Sequence, residues 1–379
     1  MNISGNHEIL LHAVGDVGLM GKVADNIRDN GSSFPFKECA STLRDANIIF
    51  GNIEMPFSLT NKEYYSHISK KSKVDIDAVN SLKDAGFNLM SLANNHIMDY
   101  GPSGIADTIS ILSDAGIAHA GAGMNLEESR RPAVVKVNDR MVGLLAYSMI
   151  GPHSARENTP GAAPMEIKAM IDDLQLLRSS VDIVIVSLHF GMIYTDYPTS
   201  EQRNLCHKLI DSGATLVLGH HPHVLQGIEP YGAGLIAYSM GEFIFDATFG
   251  NVYSTVARDK RKESIILKCL LKDDGSVNHE IIPVRLNQYL QPCIESGLER
   301  QAMIKRMGKL STPLIDNSLD DSEVFKRAGS DLMAYQMQVY LFHLKKLNLS
   351  YIAKQLLRLR WRHFKLVSGF IRSQFIKKD

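Results

Sequence analysis

Three times along the chain, a run with helical spacing closes on a short polar phrase with a glycine and passes straight into apolar residues. The phrases are Lys83-Asp84-Ala85-Gly86-Phe87, Ser113-Asp114-Ala115-Gly116-Ile117 and Ile210-Asp211-Ser212-Gly213-Ala214. A glycine just past the last turn supplies the left-handed backbone that ends a helix. Repeated helix–glycine–strand units predict parallel strands with helices packed outside them. Strand-length apolar runs lie at 9–14, 48–50, 89–92, 142–147, 181–188, 216–218 and 235–238. Helical patterns lie at 74–85, 104–115, 166–179 and 200–212. Two hairpins interrupt the scheme, 133–137 with 141–147 and 264–271 with 279–284, the second around Asp273-Asp274-Gly275. Hairpins within a βα pattern predict an α/β fold with a mixed sheet, or two stacked sheets.

The 379 residues leave room for one α/β domain of about 250–300 residues and an appendage, or for two domains. From about residue 286 strand signals vanish, and from 321 onward the pattern is helical. The predicted division is therefore a domain at 1–285 and a mainly helical extension at 286–379. With 45% hydrophobic and 22% charged residues, bulk disorder is excluded. No window offers 18 uninterrupted apolar residues, so no transmembrane helix is predicted. The first residues show no basic segment followed by an apolar one, so no secretory signal is expected. Cys39, Cys206, Cys269 and Cys293 have no CxxC spacing and fit a reducing compartment.

Acidic and basic residues balance at 41 each, yet residues 338–379 hold ten Lys/Arg and a single acid, Asp379. The rest is net acidic. On a helical wheel, Lys354, Arg358, Arg362, Lys365 and Arg372 share one stripe, and Leu356, Leu359, Leu366 and Phe370 lie on another. Such a helix fits an anionic membrane surface, a polyanionic polymer, an acidic partner protein, or the acidic body of its own chain. No nucleic-acid fold accompanies the basic stripe, so nucleic acid is not an expected partner.

The chemical signal sits where strands end. The run 9–14 leads into Gly15-Asp16, 48–50 into Gly51-Asn52-Ile53-Glu54, and 89–92 into Ala93-Asn94-Asn95-His96 and then Asp99. The run 181–188 leads into His189-Phe190-Gly191, and 216–218 into Gly219-His220-His221-Pro222-His223. In open α/β sheets these carboxyl ends converge on one crevice. Carboxylates with neutral imidazoles are a ligand set for Mn, Fe or Zn. Each phrase alone is an ordinary turn, but five in succession predict a divalent metal centre.

The order Gly-Asp, Asn-x-Glu, Asn-Asn-His-x-x-Asp-x-Gly, His-x-Gly, Gly-His-His-Pro-His and Tyr-Ser-x-Gly-x-Phe resembles the CapA-type capsule (poly-γ-glutamate) biosynthesis family. That family lies in the calcineurin-like metallophosphoesterase superfamily, and the resemblance covers about residues 8–250. It implies a four-layer α/β/β/α sandwich of mixed sheets with a two-metal site at one edge, here followed by the helical extension. It gives the metal ligands as Asp16, Glu54 in the bridging position, Asn95, His189, His221 and His223. It makes His96 a proton donor to the substrate or leaving group, helped by Asp99 or Asn94.

Three departures follow. The usual Asp-x-His reads Asp16-Val17-Gly18, the bridging carboxylate is Glu in place of Asp, and Gly-Asn-Phe reads Gly241-Glu242-Phe243. One or two divalent ions are therefore expected. The implied activity is metal-dependent hydrolysis of a phosphoester or an amide in the making of an extracellular polymer. Its partner is then an anionic polymer or a phosphorylated substrate. The alternative is a non-catalytic polymer-binding or membrane-assembly component with a vestigial metal cleft. Either way the expected location is cytoplasmic, at the inner face of the membrane where the tail engages it.

Overall fold

The computed structural model describes residues 8–61, 64, 73–149, 154–246, 260–322 and 324. The basic stripe at 352–372 lies outside them.

Two sheets face one another. The first has eight strands: β1 (Ile9–Val17), β2 (Ile48–Ile53), β3 (Leu89–Ser91), β4 (Ala118–Ala120), β13 (Glu242–Ile244), β14 (Glu263–Leu271), β15 (Val277–Leu286) and β16 (Pro292–Ile294). Their order is β16-β15-β14-β1-β2-β3-β4, with β13 paired to the end of β1. β1 to β4 run parallel, and β14 to β16 form an antiparallel flank. The second sheet has six: β6 (Ala133–Val137), β7 (Arg140–Ser148), β9 (Ile183–His189), β10 (Leu216–His220), β11 (Ile228–Tyr231) and β12 (Gly234–Ala237). A small pair, β5 (Ala122–Gly123) and β8 (Gly161–Ala162), stands apart.

The helices are α1 (Lys22–Asn30), α2 (Ala40–Arg44), α3 (Val79–Ala85), α4 (Gly101–Asp114), α5 (Leu126–Ser129), α6 (Ile167–Arg178), α7 (Ser200–Asp211) and α8 (Gly297–Ile315). Alternation along the strands sorts side chains into layers. Leu11, Ala13, Ile48, Phe50, Val142, Leu144, Ile185 and Leu218 meet between the sheets. Their neighbours Val14 and Ile49 turn toward Leu43, Leu82, Ile105 and Leu112 of α2 to α4. Val184, Val186 and Val217 turn toward Met170, Leu174, Cys206 and Leu209 of α6 and α7. The result is the four-layer α/β/β/α sandwich. Central strands are buried on both faces, which explains their unbroken apolar runs.

The three glycine phrases close their helices alike. Phe87, Ile117 and Ala214 donate backbone N–H bonds to the carbonyls of Leu82, Leu112 and Leu209, each at 2.9–3.0 Å. Gly86, Gly116 and Gly213 take φ of 91°, 73° and 111°. This is the Schellman closure, and it turns the chain directly into the next strand.

Both expected hairpins are present, β6 with β7 and β14 with β15. Beyond residue 286, where no strand is expected, β16 still joins the first sheet. α8 then lays Met303, Met307 and Leu310 into the inter-sheet core and packs on β11 and β15. It seals the open side of the sandwich. The four cysteines are unpaired. Among the described residues, no helix is long and apolar enough to cross a membrane.

Candidate metal centre

The parallel strands of both sheets carry their polar exits to one edge. Gly15 is needed for this: a Cβ there would lie 2.0 Å from the Gly241 carbonyl, so only glycine lets β13 close on β1. Asp16 and Glu242 then become register partners on adjacent strands. Gly219 has the same role in the second sheet, where a Cβ would meet the Tyr238 carbonyl at 2.0 Å.

The turn after β10 is not strand-like. His221 and His223 have φ of 96° and 59°, a left-handed backbone costing about 1–3 kcal/mol at each non-glycine residue. Pro222 between them accepts from the Tyr194 N–H at 2.8 Å. The strained turn sends the two imidazoles to different neighbours. His221, His189 and Glu54 each offer one donor atom, and the three atoms lie within 4.8 Å of one another, all buried. His223 instead places Nδ1 3.3 Å from Asp16 Oδ2 and 3.4 Å from Glu242 Oε1.

Glu54 stands between these halves. Its Oε1 is 3.6 Å from His189 Nε2 and 4.0 Å from His223 Nε2. Asn95 Oδ1 lies 2.8 Å from His189 Nε2, a separation that suits a hydrogen bond or two donors on a shared ion. All six expected ligands therefore gather in one place. Asn94, His96 and Asp99 lie in the loop that also carries Asn95. His96 Nδ1 sits 2.9 Å from Asp99 Oδ2. Asn94 accepts from the His96 N–H at 2.9 Å and donates to the Ile53 carbonyl at 2.5 Å, tying the loop to β2.

Two partners were not legible beforehand as site residues. Asn52 donates to Asp16 Oδ1 at 2.9 Å and to Glu54 Oε2 at 2.7 Å, holding the two carboxylates apart. His220 contacts Asp16 Oδ1 at 3.2 Å. Both lie inside the quoted phrases, but nothing in the spacing marks them as supports rather than ligands.

Burial and mutual contact shift the protonation of these groups. Burial raises Asp16, but hydrogen bonds from His220 and His223 outweigh it and hold the carboxyl well below its usual range. Burial, then the nearby Asp16 charge, pushes Glu54 well above. Burial, then the His221 ring, holds His189 well below neutrality, and burial with His223 holds His221 down at about 3. Both imidazoles are thus neutral, as metal ligation requires. Among the described residues, Glu54 Oε1, His189 Nδ1, His221 Nδ1, His223 Nδ1 and Glu242 Oε2 are buried without a hydrogen-bond partner. Orphaned polar atoms are costly to bury. Their concentration here, as a mixed nitrogen and oxygen set, fits a divalent transition ion.

Residues 10–247 match the model of a family described as bacterial capsule synthesis protein PGA_cap. The chain belongs to the PGA_cap family. Among its relatives is a capsule biosynthesis protein CapA of Bacillus anthracis, 27% identical over 80% of this chain and 74% of that protein. Another is a PGA biosynthesis protein CapA of Bacillus subtilis, 29% identical over 78% of this chain and 77% of that protein. Among solved structures, a phosphatase of Mycoplasma pneumoniae aligns with a TM-score of 0.49 at 13% identity, covering 79% of this chain and 98% of that one.

Within this PGA_cap member, the departures at Gly18 and Glu242 have visible consequences. A Cβ on Gly18 would lie 2.6 Å from the Phe245 ring, so an aromatic side chain fills the volume beside that position. Glu242 is fully buried and its Oε1 accepts from Arg261 Nη2 at 2.5 Å and Nε at 3.1 Å. Tyr194, with φ of 63°, sets its ring 5.2 Å from the Arg261 guanidinium carbon and 6.4 Å from the His223 ring. Arg261 and Tyr194 lie outside every phrase quoted from the sequence, and no local signal marks them.

Proposed function

We propose that this PGA_cap protein is a metal-dependent hydrolase that processes a capsule polymer, poly-γ-glutamate or a related anionic polymer during its synthesis. The single observation that carries the proposal is the buried Glu54–His189–His221 triangle, whose donor atoms lie within 4.8 Å and include partnerless ones. A divalent ion bound there supplies Lewis acidity toward a reacting oxygen of the substrate.

The protein's own residues do the rest. Glu54, His189, His221 and Asn95 hold the ion, and Asn52 keeps Glu54 oriented. Asp16 and His223 line the adjoining half of the cleft. Asp99 accepts from Nδ1 of His96, which fixes the tautomer and leaves Nε2 to exchange a proton with a substrate oxygen. The His96 side chain is 23% exposed whereas that of Asp99 is 3% exposed, so the ring reaches solvent and its partner does not. Asn94 acts through the backbone, as a positioning residue for His96.

A second reading, a non-catalytic assembly component with a vestigial cleft, is favoured by Gly18, where the superfamily's first-motif histidine is missing. Activity separates the two. Purified protein is supplied with Mn²⁺, Fe²⁺ or Zn²⁺ and assayed on phosphomonoester, phosphodiester and γ-glutamyl substrates. Metal-dependent turnover abolished by His189→Ala with His221→Ala is expected. Bound metal with no turnover on any of the three classes supports the second reading, and no bound metal removes the first.

A further inference from the structure

The half of the centre built on Asp16 and His223 differs from the half built on Glu54, His189 and His221: it already contains a cation. Arg261 Nη2 and Nε both point at Glu242 Oε1, at 2.5 and 3.1 Å. Both residues are buried. The same carboxylate oxygen lies 3.4 Å from His223 Nδ1, and that nitrogen lies 3.3 Å from Asp16 Oδ2. Because Glu242 is the strand partner of Asp16, the ion pair is part of the centre and not an accident of the surface. Tyr194 flanks the guanidinium.

Three carboxylates, Asp16, Glu54 and Glu242, share this interior, and buried carboxylates need compensating positive charge. A guanidinium provides it at every accessible pH and in a planar fork suited to a carboxylate. Phe245 meanwhile occupies the space beside Gly18, so that position offers this half no side-chain donor. One oxygen of each carboxylate in this half is already engaged, while Glu242 Oε2 and His223 Nδ1 have no hydrogen-bond partner among the described residues. Asp16 Oδ1 accepts from Asn52 and contacts His220, and Glu242 Oε1 is held by Arg261. In the other half, where no side-chain cation is paired to a carboxylate, Glu54 Oε1, His189 Nδ1 and His221 Nδ1 have no hydrogen-bond partner among the described residues.

We propose that Arg261 stands in for a second divalent ion: locked onto Glu242, it supplies the positive charge of the Asp16–His223 half, so the centre holds a single ion on Glu54, His189 and His221. This rests on reading that triangle as a metal centre, as above.

The test is ion counting on the full chain. Protein is loaded with Mn²⁺, desalted and analysed for metal content, with calorimetric titration of the metal-free form alongside. The wild type is expected to hold a single Mn²⁺. Arg261→Met frees Glu242, Asp16 and His223 for a cation and is expected to take up a second. Arg261→Gln, which retains a hydrogen bond to Glu242, gives the same reading if the Met variant does not fold, as judged by thermal melting. A wild type that binds two ions overturns the inference alone. So does a folded Arg261 variant that stays at one. A wild type that binds none overturns the metal reading beneath it.

Discussion

Glu54 and His189 approach each other across the two sheets, Oε1 to Nε2 at 3.6 Å, with both side chains buried. Glu54 directly follows β2 and His189 ends β9, 135 positions apart in the chain. Glu54 Oε1 has no hydrogen-bond partner among the described residues, and its separation from the imidazole is a poor contact alone and a good one around an ion. Chelation should therefore destabilise the protein. Ion bound at 100 times its dissociation constant adds about 2.7 kcal/mol. A melting temperature that rises with added Mn²⁺ and falls with EDTA is expected, and His189→Ala with His221→Ala should erase the difference. A melting curve indifferent to both reagents would count against a metal centre.

Asn52 makes a separate prediction, because its one amide group bridges two carboxylates. Asn52→Ala leaves Asp16 and Glu54 facing each other without their shared donor. Loss of a supporting group typically lowers metal affinity 10- to 100-fold. An unsatisfied buried group costs about 1–3 kcal/mol. Both effects should appear, the first by calorimetric titration and the second by urea unfolding of the EDTA-treated protein. Unchanged affinity would show that the bridge is structural only.

The layers and the meeting of the six candidate residues were legible for different reasons. Schellman phrases at Gly86, Gly116 and Gly213 are local chemistry and can be read wherever they occur. That the six candidate residues would meet was legible because each follows an apolar strand whose direction is fixed by parallel pairing. β16 was not legible: three residues ending an antiparallel flank carry no periodicity of their own. The packing of α8 was also hidden, since Met303, Met307 and Leu310 show a helix but not that it closes the gap between two sheets. Arg261 is the extreme case. A run of three basic residues, Lys260-Arg261-Lys262, gives no hint that the middle one is buried against Glu242 while its neighbours are not.

The buried imidazoles give a signed pH dependence for the metal-free protein. His189 and His221 are depressed in the folded state from 6.5, the second to about 3, so the unfolded chain binds their protons first. Their contribution is present above pH 6.5 and is lost as pH falls, at about 1.4 kcal/mol per unit for each histidine. Glu54 is raised above 4.5 and has the opposite sign, its contribution being present below 4.5 and lost as pH rises. His12, His119 and His279, also held down by burial, act with the same sign as these two histidines and against the one glutamate. Stability in EDTA should therefore fall toward acid below pH 6.5. His221→Asn should flatten that fall. Urea midpoints between pH 4.5 and 6.5 measure both slopes, and a steeper slope in the variant would contradict the assignment.

His96 and Asp99 separate catalysis from metal binding. Nδ1 of His96 is engaged by Asp99 at 2.9 Å, and neither residue belongs to the Glu54–His189–His221 triangle. His96→Ala should therefore leave the bound ion in place while lowering kcat by about 10²–10⁴, the usual worth of a general acid. Asp99→Asn leaves the ring present but replaces the acceptor that fixes its tautomer, so its loss should be smaller and should come with a shifted pH–rate profile. Metal content by mass spectrometry and kcat on the best of the three substrate classes test the pair. If His96→Ala loses the ion along with the activity, the histidine belongs to the metal's ligand set and the proton-donor role is wrong. If kcat is unchanged with the ion retained, the leaving group departs without help from this ring.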